Sequence, residues 1–342
     1  MRSLRRKILG ASFAALATVF VATPSWAQQK LRIALETNPA HVRNKGVDLF
    51  VEELKKRTGD HFVIEVYPSG QLFRDRDIPR ALRQGSLEMG VPGIWHLDST
   101  EPNAALVTLP MFYGVDVPTV NKVMDGDLGN FLNRKFEERM RVKIPGKWMI
   151  LGMQHTFGVS EPIDYQTYKG KKIRYPGGTG NAARIDRLGG VGVLIPWPDV
   201  PMAMSQGIIG GLLTTYESVA TSKLMDAGVR HVFEDGNMVS QYVPLISESF
   251  WRKQPENVKA AILEAWDIAA TWERGQAEKA QQDAKDSLVA EGIQVIVPTK
   301  EEVTTARKHL MPIQDQLIES MKIDKEVAQR TYEALKAAGV EY

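Results

Sequence analysis

The chain has 342 residues, no cysteine and a formal net charge of +2. The lack of cysteine excludes disulfides, thiolate metal sites and a cysteine nucleophile. Basic and acidic residues are nearly balanced, and no Lys/Arg-rich block or aromatic–basic stripe points to nucleic acid as a partner. A chain of this length can bury enough apolar surface for the cores of two lobes.

The first 27 residues have the pattern of an export signal. Four basic residues stand at positions 2–7, an apolar run follows at 8–22, and Ser25-Trp26-Ala27 resembles a cleavage site. The apolar run is short for a membrane-spanning helix, and Pro24 closes it. The sequence therefore predicts a signal peptide at 1–27 and a mature protein in the periplasm, with no direct membrane insertion after cleavage.

The first part of the mature chain alternates between strand and helix patterns. Period-two alternation predicts strands, and apolar residues at helical spacing predict helices. A β-α-β-α-β order favours a mostly parallel sheet with helices on its faces. The predicted elements are strands at 30–35, 62–67 and 87–91 and helices at 47–59 and 78–83.

Two extended segments, at 142–159 and 241–249, are predicted to cross between two lobes. Between them, further strands at 171–174, 192–195 and 211–215 are separated by helical stretches. This arrangement indicates a second α/β lobe. We expect lobe one to contain 30–150 and 241–285, and lobe two to contain 151–240 and 286–342 with the C-terminal helices.

The C-terminal third is mainly helical. Residues 250–292 have helical periodicity almost throughout, including an apolar stripe from Ala261 to Trp272 that contains Ile268. The run is longer than one small lobe requires. It fits either two helices broken near Gly275 or a single helix lying across both lobes. A strand at 293–297 and helices at 301–321 and 325–338 follow.

Arg174 is the main candidate for ligand binding. A short strand ends at this residue, and Pro176-Gly177-Gly178 then forces a turn. The planar fork of donors on an Arg side chain matches a carboxylate in a bidentate pair. The same side chain also commonly forms a surface or interlobe salt bridge, so its chemistry alone leaves both roles open.

Four stretches resemble, in order and spacing, the substrate-binding proteins of TRAP (tripartite ATP-independent periplasmic) transporters. Gly170-Lys-Lys-Ile-Arg-Tyr-Pro176 matches the family's Gly-x-Lys-x-Arg-x-Pro signature. Residues 207–214 align with Gly-x-x-Asp-Gly-x-x-Asn, but Gly210 replaces the Asp and Thr214 the Asn. Segments 68–72 and 81–89 complete the set.

This resemblance implies an α/β, two-lobed periplasmic binding-protein fold with hinge strands and a long lobe-spanning helix. It also implies an extracytoplasmic solute receptor and not an enzyme, with no cofactor and no metal. In such a receptor the lobes close around an organic-acid anion, and Arg174 clamps its carboxylate. The closed form then delivers the ligand to the membrane subunits of a TRAP permease.

The residues around Arg174 suggest the kind of acid. The first crossing segment offers no second Arg, and buried carboxylates must be paired. This favours a monocarboxylate with an apolar or cyclic body over a dicarboxylate or sugar acid, which stays the alternative. Trp95 follows the third strand, beyond whose carboxyl end ligands lie in open α/β sheets. The candidate ligand-binding residues are Arg174, Trp95, His155, Phe157, Gln154, Trp197, Thr214 and Tyr216.

A glycine-rich segment offers a different interpretation. The stretch 178–183 fits G-x-G-x-x-A between a strand and a helix, as in dinucleotide-binding enzymes, and Asp199 follows at about the expected distance. An exported protein rarely meets such cofactors, and the glycines more simply let the backbone turn beside Arg174. The sequence contains no H-E-x-x-H and no G-x-S-x-G, so no metal site or Ser nucleophile is predicted.

Overall fold

The computed structural model of the protein describes residues 28–342, and the structural statements below concern these residues. The predicted signal peptide at 1–27 lies outside them. The strands are β1 (Gln29–Ala34), β2 (Phe62–Tyr67), β3 (Met89–Gly90), β4 (Val142–Lys143), β5 (Met149–Val159), β6 (Lys172–Tyr175), β7 (Val191–Leu194), β8 (Gly211–Thr214), β9 (Val229–Tyr242), β10 (Leu245–Ser247) and β11 (Gln294–Ile296).

Twelve α-helices are assigned in this part of the chain. They are α1 (Val42–Thr58), α2 (Ile78–Gln84), α3 (Val117–Met124), α4 (Asp127–Met140), α5 (Thr179–Arg187), α6 (Val200–Ser205), α7 (Tyr216–Thr221), α8 (Glu248–Trp251), α9 (Glu256–Ala290), α10 (Lys300–Leu310), α11 (Gln314–Ser320) and α12 (Lys325–Ala337).

The first sheet has the strand order β2-β1-β3-β10-β4. Its first three strands run parallel, with Ile33 opposite Val66 on one side and Met89 on the other. β10 joins antiparallel to β3 and β4. The predicted β-α-β-α-β unit is therefore confirmed, and the carboxyl ends of its strands point to one edge of the sheet.

The second sheet has the order β11-β9-β5-β8-β6-β7. Its long strands β5 and β9 pair antiparallel from Met149 opposite Tyr242 to Val159 opposite Val229. Tyr242 also forms an isolated bridge with Gly93 of the first lobe. These two strands therefore connect the lobes.

The second crossing was predicted at 241–249, and this prediction is wrong in position. The crossing strand is β9, and β10, at Leu245–Ser247, already belongs to the first sheet. In the pairing of β5 with β9, Gln154 lies opposite Met238 but Thr156 lies opposite Phe233. Four residues, 234–237, thus stand opposite the single residue His155, and this bulge breaks the alternation that identifies a strand.

Helix α9 is a single helix of 35 residues and is not broken at Gly275. Ala265 and Ala269 are buried in the core of the first lobe, whereas Ala284 and Leu288 lie in a core of the second. The helix therefore spans both lobes, as the family resemblance implied. The predicted apolar stripe is only partly buried, because Ile268 and Trp272 are more than a third exposed.

The predicted helix at 301–321 is two helices, α10 and α11, separated by a short 3-10 turn at Met311–Ile313. Pro312 in this turn lacks the N–H that an uninterrupted helix would use. Beyond it, Leu317, Val327 and Leu335 pack in the core of the first lobe. This packing differs from the predicted grouping of 286–342 with lobe two; the remaining lobe boundaries stay a prediction.

No helix within residues 28–342 is both long enough and apolar enough to cross a membrane.

Candidate ligand-binding cleft

A small closed cavity lies between the two lobes. Its volume is about 30 Å³, which is room for about two water molecules. The first lobe supplies the residues that follow β1 and β3, and the second supplies the ends of β6 and β8. The lobes touch at the rim, where Arg74 and Asp199 form an ion pair at 2.6 Å. The molecule is therefore in a closed conformation.

Arg174 lines this cavity and is 2% exposed. Its Nε donates to the carbonyl of Ile195 at 2.9 Å, and its Nη1 donates to that of Leu213 at 3.1 Å. Neither hydrogen bond uses Nη2, and within residues 28–342 Arg174 has no carboxylate in a salt bridge. Burial lowers the pKa of Arg174 to about 10, so the guanidinium remains charged at neutral pH.

Gln154 and Thr214 stand beside Arg174 on the cavity wall. Both are buried, and Gln154 Oε1 has no hydrogen-bond partner in the part of the chain that the structure describes. β5 and β8 are neighbours in the sheet, with Thr214 opposite His155. A carboxylate held by Arg174 would lie next to the Gln154 amide, whereas the Thr214 side chain, paired with His155, shares the face of that residue.

Three of the predicted residues do not line this cavity: His155, Phe157 and Tyr216. Side chains alternate along a strand, so His155 and Phe157 point to the face opposite Gln154. Phe157 packs against the Tyr216 ring in the core of the second lobe, with 5.4 Å between ring centroids. The Tyr216 hydroxyl donates to Glu234 at 2.7 Å, which holds the ring away from the cleft.

Three aromatic rings line the cavity: Trp95, Trp197 and Tyr242. The Trp197 ring centroid is 5.3 Å from the guanidinium carbon of Arg174, a cation–π distance. Trp95 is buried, 5.7 Å from Tyr242 between ring centroids, and its Nε1 lacks a hydrogen-bond partner within 28–342. The cavity thus offers flat apolar surfaces and one free indole donor.

A second buried cation, Arg43, was missed in the sequence. It lies in the first turn of α1 and is fully buried. Its Nη1 donates to Asp75 Oδ2 at 2.9 Å and to the carbonyl of Val91 at 3.0 Å, and its Nε donates to Thr37 Oγ1 at 2.9 Å. Asp75 therefore balances its charge, and the side chain braces the segments that follow β1 and β3.

Glu36 and His96 also line the cavity. Their nearest side-chain atoms, Oε2 and Nε2, are 3.8 Å apart. Burial, with the nearby charge of Asp75, raises the pKa of Glu36 to about 8, and burial lowers the pKa of His96 to about 4. At neutral pH both side chains are mainly uncharged. Glu36 follows β1, so the strand-end rule that pointed to Trp95 applies to it equally.

Glu36, Asp75 and His96 each place one possible metal-ligand atom within 4.8 Å of the others. The sequence spacing gave no hint of this group, because the residues come from separate segments. Two guanidinium groups, Arg43 and Arg174, line the same cavity and oppose a bound cation. We therefore treat the cluster as part of the anion-binding cleft.

The glycine-rich segment at 178–183 has a packing role. A Cβ atom at Gly180 would lie 2.2 Å from Thr108 Oγ1, so only glycine lets α5 approach this closely. Gly178 precedes α5 with φ of 79°, a conformation that favours glycine. Close packing and a turn thus account for both glycines without a dinucleotide.

The sequence profile of the family described as "Bacterial extracellular solute-binding protein, family 7" (DctP) matches residues 33–320. The chain belongs to this family. It is 25% identical over 346 residues to the C4-dicarboxylate-binding periplasmic protein DctP of Rhodobacter capsulatus, covering 99% of this chain and 100% of the relative. The TRAP resemblance is confirmed, and the family comprises transport receptors and not enzymes.

Two solved structures illustrate the shared fold. The sugar acid binding protein DctPAm of Advenella mimigardefordensis, in complex with galactonate, has a TM-score of 0.85 at 19% identity and covers 91% of this chain and 99% of its own. A TRAP periplasmic solute-binding protein of Desulfovibrio salexigens, with bound orotic acid, has a TM-score of 0.83 at 19% identity and covers 91% and 99%. The predicted fold is therefore confirmed.

Proposed function

We propose that this chain is a periplasmic receptor that captures an organic-acid anion by hinge closure and delivers it to a TRAP membrane permease. The observation that carries the proposal is Arg174, a buried and charged side chain without a carboxylate partner in residues 28–342, on the wall of the interlobe cavity. A buried charge is costly unless it is paired. An acid that enters the cleft supplies the missing partner.

The charges on the cavity wall favour a monocarboxylate. Arg43 is balanced by Asp75, and Glu36 is mainly protonated at neutral pH, so Arg174 contributes one net positive charge. One carboxylate neutralises it, whereas a second one would stay unpaired at a cost of several kcal/mol. The Trp95 and Trp197 rings would pack on a compact apolar or cyclic body, contributing about 25 cal/mol per Å².

A dicarboxylate or sugar acid is the second candidate. Four buried polar atoms of residues that line the cavity lack a partner within the described chain: Arg43 Nη2, Asp75 Oδ1, Trp95 Nε1 and Gln154 Oε1. Trp95 Nε1 and Gln154 Oε1 would suit a hydroxylated ligand, and Arg43 Nη2 could donate to a second carboxylate. The relatives include both ligand classes. One is named for binding C4-dicarboxylates, and the bound ligands of two others are galactonate, a sugar acid, and orotic acid.

Hinge closure is supported by contacts between the lobes. Besides the Arg74–Asp199 pair, Asn38 Nδ2 donates to the carbonyl of Thr221 at 3.1 Å. A cavity of about 30 Å³ is too small to receive an organic acid unless these contacts open. The long strands β5 and β9 join the lobes and are the natural hinge.

Calorimetric titration at pH 7.5 tests the ligand class. Cyclic and aromatic monocarboxylates should bind more tightly than dicarboxylates of the succinate type and sugar acids. A dicarboxylate or sugar acid that binds at least tenfold more tightly than every monocarboxylate would establish the second candidate instead. If no organic acid raises the melting temperature of the protein, the receptor proposal itself fails.

A further inference from the structure

Glu36 lies where two cavities meet. The inner cavity contains Arg174, and an outer cavity of about 540 Å³ shares Glu36, Trp95 and His96 with it. The outer cavity continues to residues of both lobes, including Thr179 at the start of α5. A ligand that extends from Arg174 toward the outer cavity therefore passes the Glu36 carboxyl group.

The carboxyl group of Glu36 has no Lys or Arg in a salt bridge within residues 28–342, and Nε2 of the neutral His96 lies 3.8 Å from its Oε2. Arg43, which lies nearby, is committed to Asp75, whose Oδ2 also accepts from the backbone N–H of Gly93 at 3.2 Å. Asp75 Oδ1 is buried without a hydrogen-bond partner in that same part of the chain. Two donors of the same cavity wall, Arg43 Nη2 and Trp95 Nε1, are likewise buried without a partner in the described chain. The Glu36 carboxyl group thus has no fixed cation within 28–342 and is available to a ligand.

We propose that Glu36 is a specificity residue of the cleft, which binds a hydrogen-bond donor of the captured acid, a hydroxyl or an ammonium group, and disfavours a second carboxylate. The inference rests on the proposed function, because it assumes that the ligand carboxylate pairs with Arg174. It adds that the far end of the ligand is a donor.

Electrostatics gives the reason. When Glu36 is ionised, a second carboxylate at this place would be a third negative group beside Glu36 and Asp75, and like charges in a buried site repel. An ammonium group would supply a counter-charge to ionised Glu36, and a hydroxyl would donate to either oxygen.

The protonation of Glu36 sets the pH dependence of this discrimination. The negative charge of Asp75 favours the protonated form of Glu36, whereas the positive charges of Arg43, Arg174 and Arg74 favour its ionised form. His96 is neutral. Protonated Glu36 tolerates a carboxylate better than ionised Glu36 does. Discrimination against a dicarboxylate should therefore increase as the pH rises through about 8.

A matched four-carbon series tests the proposal: butanoate, 4-hydroxybutanoate, 4-aminobutanoate and succinate. Titration calorimetry of the full mature protein at pH 9.0, where Glu36 is mainly ionised, should show the hydroxy or amino acid binding at least tenfold more tightly than succinate and more tightly than butanoate. The preference over succinate should be smaller at pH 7.5. Whichever of the two donors binds more tightly identifies the group that Glu36 holds.

The variant Glu36→Gln removes the charge and keeps the shape. It should reduce the preference over succinate to less than threefold and abolish its pH dependence. Glu65→Gln, a carboxylate of the same lobe outside the cleft, should behave as the parent does. An unchanged preference in Glu36→Gln overturns the role of Glu36. Failure of all four acids to bind a protein that other organic acids stabilise also overturns that role, whereas failure of every organic acid overturns the proposed function.

Discussion

The carboxylate of Glu217, in the second lobe, accepts a hydrogen bond of 2.6 Å from the backbone N–H of Val42, in the first. Val42 begins α1, whose first N–H groups have no partner within the helix. Glu217 itself lies in the first turn of α7, where its backbone N–H donates to the side-chain oxygen of Gln281 on α9 at 3.1 Å. One side chain thus caps a helix of the opposite lobe and joins the two lobes in the closed form.

Removing this interlobe cap should weaken ligand binding, because binding and closure are coupled. A helix cap or a charge at a helix N-terminus contributes about 1–2 kcal/mol. Glu217→Ala should therefore raise the Kd about five- to thirtyfold. Burial raises the pKa of Glu217 to about 7, and Glu217→Gln, which keeps an acceptor, should lose less. The exposed Glu161→Ala is the control; an equal loss in both Ala variants would argue against the cap.

Arg174 should provide most of the carboxylate recognition. Removing one partner of a buried pair leaves the other charge unpaired, at about 3–5 kcal/mol. Arg174→Ala should thus weaken binding of the best acid on the order of a hundredfold or more. Arg174→Lys should rescue little, because an ammonium cannot reproduce the planar fork. Calorimetry measures both, with the exposed Arg80→Ala as control. A Lys variant that binds like the parent would falsify bidentate pairing.

The Arg74–Asp199 ion pair at the rim of the cleft should stabilise the closed form only weakly. Its two hydrogen bonds, at 2.6 and 3.1 Å, form a bidentate pair, but both side chains are about a third or more exposed. Such pairs contribute about 0.2–1 kcal/mol, so Arg74→Ala should raise the Kd by no more than about fivefold. In a double-mutant cycle, Asp199→Ala should add little to Arg74→Ala; full additivity would show that the pair does not couple.

Small-angle scattering tests the closure of the two lobes that this ion pair stabilises. The radius of gyration of the parent protein should be smaller when a ligand is bound than when it is absent. Arg74→Ala without ligand should be at least as expanded as the parent. If saturating ligand causes no contraction, the lobes do not close on a large scale.

The sequence was sufficient to predict those parts of the molecule whose signals are local. Arg174 could be found because its strand, its turn and its family signature all lie within ten residues. The long helix α9 has a sustained helical period. By contrast, β9 was misplaced because the bulge at 234–237 interrupts its alternation.

The parts of the cleft that were missed depend on tertiary structure. Arg43, Asp75 and Glu36 come from different segments, and only the packing of α1 against the first sheet brings them together. The sequence alone could have shown that His155 and Phe157 point away from the face of Gln154, because strand alternation lets only one of Gln154 and His155 face the cleft. Their neighbours on the opposite face could not be known without the fold.

N-terminal sequencing should establish the export signal. The basic segment, the apolar run and Ser25-Trp26-Ala27 predict that protein from the periplasmic fraction begins near Gln28. The experiment needs the natural leader on the expressed chain. Recovery of an intact Met1, or retention of the protein in the cytosol, would contradict the prediction.

Glu273 should make the folded protein less stable as the pH rises. It lies within α9, is fully buried, and accepts only from the backbone N–H of Ile150 at 3.0 Å, while its Oε1 has no partner within residues 28–342. Burial raises the pKa of Glu273 to about 8, above its value of 4.5 in an unfolded chain. Between these two values the folded state binds more protons, so stability falls as the pH rises and stays low above pH 8.

The variant Glu273→Gln isolates this effect, since glutamine keeps the acceptor for Ile150 and cannot ionise. Each pH unit between the two pKa values corresponds to about 1.4 kcal/mol, so the loss between pH 5 and 8 is on the order of 3 kcal/mol. The variant should therefore melt several degrees above the parent at pH 8.5, and this gap should shrink toward pH 5. Glu264→Gln, on an exposed position of the same helix, should not shift the melting curve. A gap that is independent of pH would show that Glu273 is not held in its protonated form.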